Sequence, residues 1–242
     1  MTSTVAQRDV LRVSGPDAES FLQGQLSQDI APLAPTQSAW SFVLQPQGKV
    51  DALVRVTRIN GDAWLLDVDA GFGEAVAARL NRFKLRVKVD IEPVNWDDVA
   101  DRLGSPVDTP PGADEERFRI EVGWPRMGAE LTESTIPAET GIVDRTVSFT
   151  KGCFTGQELV ARIDSRGGNV PRHLRGVRLG TAGVPIGAEL VVDGKVAGTL
   201  TSVAGEIALA YVARGVEPPA DATVRWDGGD TTARVEALPL GS

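Results

Sequence analysis

The chain has 242 residues, 42% of them hydrophobic, and it carries 25 lysine and arginine residues against 33 aspartate and glutamate residues. This length and apolar content are sufficient to bury a core, which excludes a disordered chain and a fibrous repeat. The net charge of −8 disfavours binding to nucleic acid and to an anionic membrane surface, since both repel an acidic protein. No apolar run approaches the roughly 20 residues of a membrane span, and the N-terminal segment has no secretory signal, so we expect a cytoplasmic protein.

The content of cysteine and histidine limits the metal chemistry that the chain can perform alone. Cys153 and His173 are the single residues of their types. The chain therefore forms no internal disulfide and cannot supply the thiolates and imidazoles of a zinc or iron–sulfur site. Cluster chemistry would have to involve a second molecule.

Positive charge is concentrated in two segments of the sequence. Residues 79–88 include five cations and no acid, and residues 151–178 include six cations and two acids. Concentrated positive charge suits a small anionic ligand, whereas most charged runs are solvated faces of ordinary strands and helices. The sequence leaves both interpretations open.

Hydrophobic patterning in the first hundred residues predicts helices and antiparallel strands. A capping sequence at Ser14 to Asp17 starts a helix, and Asn60-Gly61 is a strong hairpin signal. Strict alternation from Phe83 to Ile91 predicts a strand with its cations on the outer face. The predicted helices span residues 16–26 and 71–83, and the predicted strands span 40–45, 50–59, 63–66 and 83–91.

The second half of the sequence predicts a loop, a strand and then an all-β module. Residues 104–116 are rich in glycine and proline and lack periodicity, which is typical of a loop or a boundary. Residues 117–124 resume as a strand. After residue 171, short β segments are separated by glycine-rich turns without a helix, which predicts a small barrel. We therefore expect an α+β fold with one region over residues 1–170, an internal boundary near 104–116, and a β-barrel over 171–242.

The segment 151–159, Lys-Gly-Cys-Phe-Thr-Gly-Gln-Glu-Leu, predicts a capped helix next to the cysteine. Thr155 and Glu158 have the spacing of a capping box, so we expect a helix from Thr155 to about Ser165. Cys153 would then lie near the positive helix end and close to the lysine that opens the segment, and both favour the thiolate. The alternative is that Cys153 is one more small, buried hydrophobic residue.

Glu121 lies in the predicted strand, where it faces the same side as Gly123. A carboxylate beside a glycine, where another group can approach closely, can accept two parallel N–H groups from a heterocyclic edge such as that of a pteridine. The alternative is an exposed acid on an ordinary strand.

The sequence resembles the YgfZ family of folate-binding proteins, relatives of the glycine-cleavage T-protein, an aminomethyltransferase. The segment Lys-Gly-Cys-Phe-Thr-Gly-Gln-Glu at 151–158 is similar to the family signature and carries the resemblance. Further matches follow in the same order over about residues 10–178. They are Phe-Leu-Gln-Gly-Gln-Leu at 21–26, Gly-Lys-Val at 48–50, Lys-Leu-Arg-Val-Lys-Val at 84–89, Ile-Glu-Val-Gly-Trp-Pro at 120–125 and Ile-Pro-Ala-Glu-Thr-Gly at 136–141.

This resemblance implies both a fold and a function. The fold would have two α+β modules and a C-terminal antiparallel β-barrel around a central channel that holds tetrahydrofolate. The function would be support of the assembly or repair of iron–sulfur proteins, with iron–sulfur client proteins or assembly factors as partners. By position, Glu121 corresponds to the acid that recognises the pterin and Cys153 to the functional thiol, and the same motif assigns Lys151, Gln157 and Arg162 to folate binding.

One departure from the family pattern bears on catalysis. T-proteins carry an Asp-Asp pair shortly after a Gly-Gly-hydrophobic segment, whereas the corresponding stretch here has only Asp51, which is out of register. A general acid or base contributes about 10²- to 10⁴-fold in rate. We therefore rank the iron–sulfur role above a folate-dependent aminomethyl- or methyltransferase, and a passive folate carrier is the third hypothesis.

Overall fold

The chain folds into an N-terminal antiparallel sheet covered by helices and a C-terminal β-barrel. The structure, a computed structural model, describes residues 7–104, 110 and 113–241. Within these ranges no helix is long and apolar enough to cross a membrane. The helices are α1 (Ala18–Gln25), α2 (Gly73–Phe83), α3 (Ala100–Leu103), α4 (Glu115–Val122), α5 (Val143–Thr146) and α6 (Gln157–Asp164). The strands are β1 (Arg8–Ser14), β2 (Ser38–Leu44), β3 (Val50–Asn60), β4 (Ala63–Asp69), β5 (Asp90–Val94), β6 (Arg172–Leu179), β7 (Glu189–Val192), β8 (Lys195–Ala204), β9 (Ile207–Ala213), β10 (Ala220–Trp226) and β11 (Gly229–Glu236).

The N-terminal sheet has the strand order β2-β3-β4-β1-β5, and its neighbouring strands are antiparallel. Asn60 pairs with Ala63 across the turn between β3 and β4, which confirms the predicted hairpin. Helices α1 and α2 bury Leu22 and Leu80 in the core that includes the sheet. The predicted helices and strands of this half are confirmed, apart from the last strand.

The C-terminal strands close into an antiparallel barrel with the order β10-β11-β6-β9-β8-β7. This confirms the predicted α+β class and the all-β module. Strand β11 was not predicted because it is mostly polar, and Val235 is the residue that it buries fully. The barrel core includes the buried residues Val177, Leu190, Leu200, Ala210, Val212 and Val224.

Helix α4 connects the barrel to the N-terminal region. The guanidinium of Arg119 donates to Ser202 Oγ at 2.7 Å and forms an ion pair with Glu130 at 3.2 Å. Both Ser202 and Glu130 are fully buried, and Ile120 packs in the same cluster as Leu209 of β9. The polar network and the apolar contact together fix α4 against the barrel.

The division of the chain into modules remains our proposal. Strand β6 begins at Arg172, directly after the predicted division at residues 170 and 171. Part of the predicted internal boundary near 104–116 lies outside the described residues.

The predicted strand over residues 117–124 is wrong, because this segment is helix α4. The side chain of Asp114 accepts from the Arg117 N–H at 2.8 Å and caps the helix start, and Gly123, with φ of +72°, ends the helix. The alternation of apolar and polar residues suggested a strand, but the start and stop signals of a helix prevail.

The predicted strand over residues 83–91 is also wrong for most of its length. Strand β5 begins only at Asp90, because its partner β1 ends at Ser14, the residue that pairs with Asp90. The preceding residues form an irregular segment in which Leu85 is 75% exposed and Arg86 has a φ of +58°. Alternation without a neighbouring strand does not produce a β-strand, since the ladder needs a hydrogen-bonding partner.

Candidate functional site

The signature loop, which we define as residues 148–156, lies against the C-terminal end of α1 and the turn between β2 and β3. The Ser148 N–H donates to the carbonyl oxygen of Ser27 at 2.9 Å, and the Thr155 N–H donates to that of Gly24 at 3.1 Å. Both ends of the loop are therefore attached by main-chain hydrogen bonds.

Lys151 attaches the middle of the loop to the end of α1. Its Nζ atom donates to the carbonyl oxygens of Gln23 and Leu26 at 2.9 Å and of Gln28 at 2.8 Å. Burial lowers the pKa of Lys151 to about 8, and the negative charge of Asp29 opposes this shift. An ammonium group has three N–H donors, and all three are used here. Lys151 therefore positions the loop rather than presenting a free charge to a ligand.

Phe154 and Gly156 hold the other side of the signature loop. Phe154 is buried, and Lys151 Nζ lies 5.5 Å from the centroid of its ring. Gly156 has a φ of +81° and packs so closely on the β2–β3 turn that a Cβ atom would lie 2.6 Å from the carbonyl oxygen of Gln45. Only glycine adopts this backbone conformation without strain and also leaves this space.

The predicted capping box at Thr155 is wrong. Helix α6 begins at Gln157, two residues later, and its N-terminal cap is Gly156 without a capping side chain. The hydroxyl of Thr155 instead points back to the carbonyl oxygen of Gly24, at 3.4 Å. The predicted end is confirmed, since α6 ends at Asp164 and the Gly168 N–H donates to the carbonyl oxygen of Ile163.

Cys153 is exposed at the tip of the signature loop, which excludes its interpretation as a buried hydrophobic residue. The residues that attach the loop lie on both sides of Cys153, and the neighbouring residue Gly152 is also exposed. Because α6 starts at Gln157, Cys153 is four residues from the helix rather than at its first turn. The position of the accessible thiol is thus set by the anchored loop and not by the start of α6. In the part of the chain that the structure describes, no cluster of histidine, cysteine and acidic side chains could hold a metal ion.

Gln157 and Arg162 lie at opposite ends of α6. Gln157 is partly buried at the first residue, whereas Arg162 is exposed in the last turn. Five residues correspond to about 500° of helix rotation, so the two side chains leave the helix in different directions. The structure shows no ion pair for Arg162 with another described residue. These two residues alone do not form one ligand-binding surface.

Glu121 lies on the last turn of α4, away from the supports of the signature loop. Its carboxylate forms an ion pair with Arg117 at 3.0 Å, and 37% of its side chain is exposed. Helix α4 packs against β8 and β9 of the barrel, whereas the loop packs against α1 and the β2–β3 turn. The structure therefore does not bring Glu121 into contact with Cys153.

Arg79 is a buried residue of the site that the sequence reasoning missed. Its Nε donates to Asp51 at 3.0 Å, and its two terminal nitrogens donate to the side chain of Gln25 at 3.1 Å and to the carbonyl oxygen of Leu44 at 2.9 Å. Burial lowers the pKa of Arg79, although the ion pair with Asp51 opposes this. The available signal was its position between Val76 and Leu80 on the apolar stripe of α2.

The ion pair of Arg79 and Asp51 borders a cleft of about 270 Å³ between α2 and β3. Arg82, which is exposed, and Glu133 also line this cleft. Since Arg79 is only 8% exposed, the interpretation of residues 79–88 as a solvated face is wrong for this residue. Among the other cations of that segment, Arg82, Arg86 and Lys88 are exposed and Lys84 is partly exposed.

The two positive segments of the sequence meet at the end of α1. Arg79 holds the side chain of Gln25, and Lys151 holds the carbonyl oxygen of the next residue, Leu26. Gly156 lies against Leu44, whose carbonyl oxygen accepts from Arg79. One continuous set of contacts therefore connects the cleft to the loop that presents Cys153.

Comparison with known proteins identifies relatives named as an iron–sulfur cluster assembly factor and as a tRNA-modifying protein. The chain is 26% identical to an iron–sulfur cluster assembly factor IBA57 homolog, mitochondrial, of Chaetomium globosum, over 67% of this chain and 53% of that protein. It is 26% identical to the tRNA-modifying protein YgfZ of Edwardsiella ictaluri, over 66% of this chain and 65% of that protein. No family model matches.

The overall fold is that of a T-protein. The crystal structure of the glycine cleavage system aminomethyltransferase T from Bartonella henselae superposes with a TM-score of 0.79 at 19% identity, over 98% of this chain and 87% of that one. The resemblance to YgfZ proteins and the T-protein-like fold are thus confirmed. The chain spans only about half the length of the fungal relative.

Proposed function

We propose that this protein supports the assembly or repair of iron–sulfur proteins, with Cys153 as its functional thiol and tetrahydrofolate as its cofactor. The exposure of Cys153 on an anchored loop carries this proposal. Free cysteine is among the most buried residue types, and it is reactive only where a partner can reach it. A chain that holds its single cysteine at the surface with a partly buried lysine and a close-packed glycine is built to present a thiol.

The names of the relatives support the choice of iron–sulfur chemistry. One relative is an iron–sulfur cluster assembly factor, and the chain matches 53% of it. An iron–sulfur cluster is held by several thiolates, and this chain offers one. Cys153 would therefore act on a cluster or a thiol of a client protein or assembly factor, which supplies the remaining ligands. We propose the cytoplasm as the place of this action.

We propose Glu121 as the contact for the pterin, and Gln157 and Arg162, which leave α6 in different directions, as contacts for separate parts of the folate. Glu121 is partly exposed and could exchange its ion pair with Arg117 for the N–H groups of a pterin. Lys151 does not fit a folate contact, because its three N–H groups are used by main-chain oxygens. Tetrahydrofolate would supply a carrier for a one-carbon unit.

The ion pair of Asp51 with Arg79 supports the iron–sulfur role over transferase activity. A general acid or base needs a carboxylate that is free to exchange a proton, whereas Asp51 is held by the guanidinium of Arg79 at 3.0 Å. The transferase therefore remains the alternative function, and a product assay with a one-carbon donor separates the two.

A genetic experiment tests the proposed function. Cells that lack this gene receive the wild type, Cys153→Ala or Thr150→Ala, and the activity of an iron–sulfur enzyme is measured together with the abundance of each variant. Thr150 is exposed on the same loop and serves as the matched control. We expect Cys153→Ala to fail at normal abundance and Thr150→Ala to restore activity. Full restoration by Cys153→Ala would disprove the role of the thiol.

A further inference from the structure

A second cleft, of about 320 Å³, lies between α5, which precedes the signature loop, and α6, which follows it. Its apolar surface includes Ala138, Val143 of α5 and Val160 of α6. Phe149, which is 44% exposed, forms part of the wall. A large aromatic side chain that lines an open cleft offers both apolar area and a π face to a ligand.

Two carboxylates border this apolar surface. Asp144 and Asp164 both line the cleft and are exposed, and the structure shows no ion pair of either with another described residue. The neighbouring cation Arg145 is turned away, since its guanidinium lies 4.5 Å from the centroid of the Trp124 ring. The cleft therefore combines negative charge, an aromatic side chain and an aliphatic surface.

We propose that this cleft binds the side chain of a lysine presented by a partner protein. A lysine side chain has an aliphatic stem of four methylene groups that packs on apolar surface while its ammonium group stays near solvent. The stem would lie on Val143 and Val160, and the ammonium group would meet Asp144, Asp164 and the face of Phe149. An anionic ligand is disfavoured by the two carboxylates, and a neutral one would leave them unused.

The position of the cleft gives this lysine a role in the proposed function, on which this part of the inference rests. Phe149 belongs to the signature loop and precedes Cys153 by four residues, and Val160 is on the helix that follows the loop. Four residues of extended chain span at most about 14 Å. A partner whose lysine occupies the cleft is thus held with its surface next to the thiol.

The test is a titration of the ¹⁵N-labelled protein with N-acetyl-lysine methylamide, followed by NMR at the amides of Gly141 and Gly168, which line the cleft. The control ligand, N-acetyl-norleucine methylamide, has the same stem without the ammonium group. We expect saturable shifts with the lysine ligand and at least threefold weaker binding of the norleucine ligand. Asp144→Asn and Asp164→Asn should each weaken lysine binding about two- to fivefold, whereas Asp230→Asn, an exposed barrel residue, should not.

Three results would overturn the proposal. They are equal binding of the norleucine ligand, unchanged affinity in the Asp144→Asn/Asp164→Asn double variant, and binding of n-butylamine without binding of the blocked lysine. The last result would identify a site for free amines instead of a protein side chain. The titration involves no iron–sulfur enzyme, so its failure is distinguishable from a failure of the proposed function.

Discussion

The ammonium nitrogen of Lys151 lies 2.8 Å from the carbonyl oxygen of Gln28, and it donates at the same time to the carbonyl oxygens of Gln23 and Leu26. These oxygens belong to the last turn of α1 and the residues after it, where carbonyl groups lack partners within the helix. Lys151 therefore completes the end of one helix and fixes the loop that presents Cys153.

Replacement of Lys151 by methionine should destabilise the protein. The variant keeps most of the length of the unbranched side chain but leaves three partly buried carbonyl oxygens without their donor, which we expect to cost about 2 kcal/mol of unfolding free energy. Chemical denaturation measures this difference. Lys195→Met, at an exposed position of β8, is the control and should change stability by less than about 0.5 kcal/mol. Equal stability of both variants would show that the three contacts do not hold the loop.

The stability of the wild type relative to Lys151→Met should rise with pH above about 8. Folding lowers the pKa of Lys151 from 10.5 to about 8, so the folded state releases this proton at a lower pH than the unfolded state. Between these two values the unfolded state binds more protons, and a rise in pH favours folding. Below pH 8 both states are protonated, and the difference between the two proteins should be constant.

Denaturation of both proteins at pH 7, 8, 9 and 10 checks this pH dependence, because the comparison cancels the titration of other groups. A constant difference between wild type and Lys151→Met across the whole range would mean that the three carbonyl oxygens retain the proton against the effect of burial.

Two glycines of the signature loop should respond differently to substitution by alanine. In Gly156→Ala the new Cβ atom would lie 2.6 Å from the carbonyl oxygen of Gln45, and the residue would have to keep a φ of +81°. We expect a loss of about 1–3 kcal/mol. A Cβ atom added to Gly152 would meet no atom of the described residues within 4 Å, and this glycine has no positive φ, so Gly152→Ala is the matched control and should be nearly neutral. Equal effects in thermal denaturation would contradict the close packing of residue 156.

Replacement of Glu121 by glutamine tests the proposed folate contact. The variant removes a charged acceptor of two N–H groups, which commonly costs about 1.5–3 kcal/mol, or more than tenfold in affinity. Calorimetric titration with tetrahydrofolate measures the change. Arg117→Gln breaks the same ion pair without removing the acceptor, and should leave binding intact or improve it. Unchanged affinity of Glu121→Gln would remove this residue from the folate site.

Local pattern was sufficient for most of the regular elements and insufficient for the site. The hairpin at Asn60 and all the barrel strands except β11 follow from turn signals and alternation, which act over a few residues. By contrast, Arg79 is buried and the N–H donors of Lys151 are used because both side chains bond to carbonyl groups far along the chain. These carbonyl groups are that of Leu44 and those at the end of α1. No short-range pattern encodes such contacts.

Two predictions failed because, in each case, a short sequence motif is compatible with two different local structures. The spacing of Thr155 and Glu158 matches a capping box, but the close packing of Gly156 on the β2–β3 turn moves the helix start to Gln157. Likewise, the segment around Glu121 alternates like a strand and is a helix because Asp114 caps it. In both cases a contact or cap outside the motif decides the structure.

Alkylation tests the proposed role of the exposed Cys153 thiol without changing the sequence. Purified protein is treated with iodoacetamide in its native state, and mass spectrometry measures modification of Cys153. Treated and untreated protein are then added to an extract of cells that lack the gene, and the activity of an iron–sulfur dehydratase is followed. We predict complete native alkylation of Cys153 and recovery of enzyme activity only with the untreated protein. Equal recovery with fully alkylated protein would show that the function does not need the free thiol of Cys153.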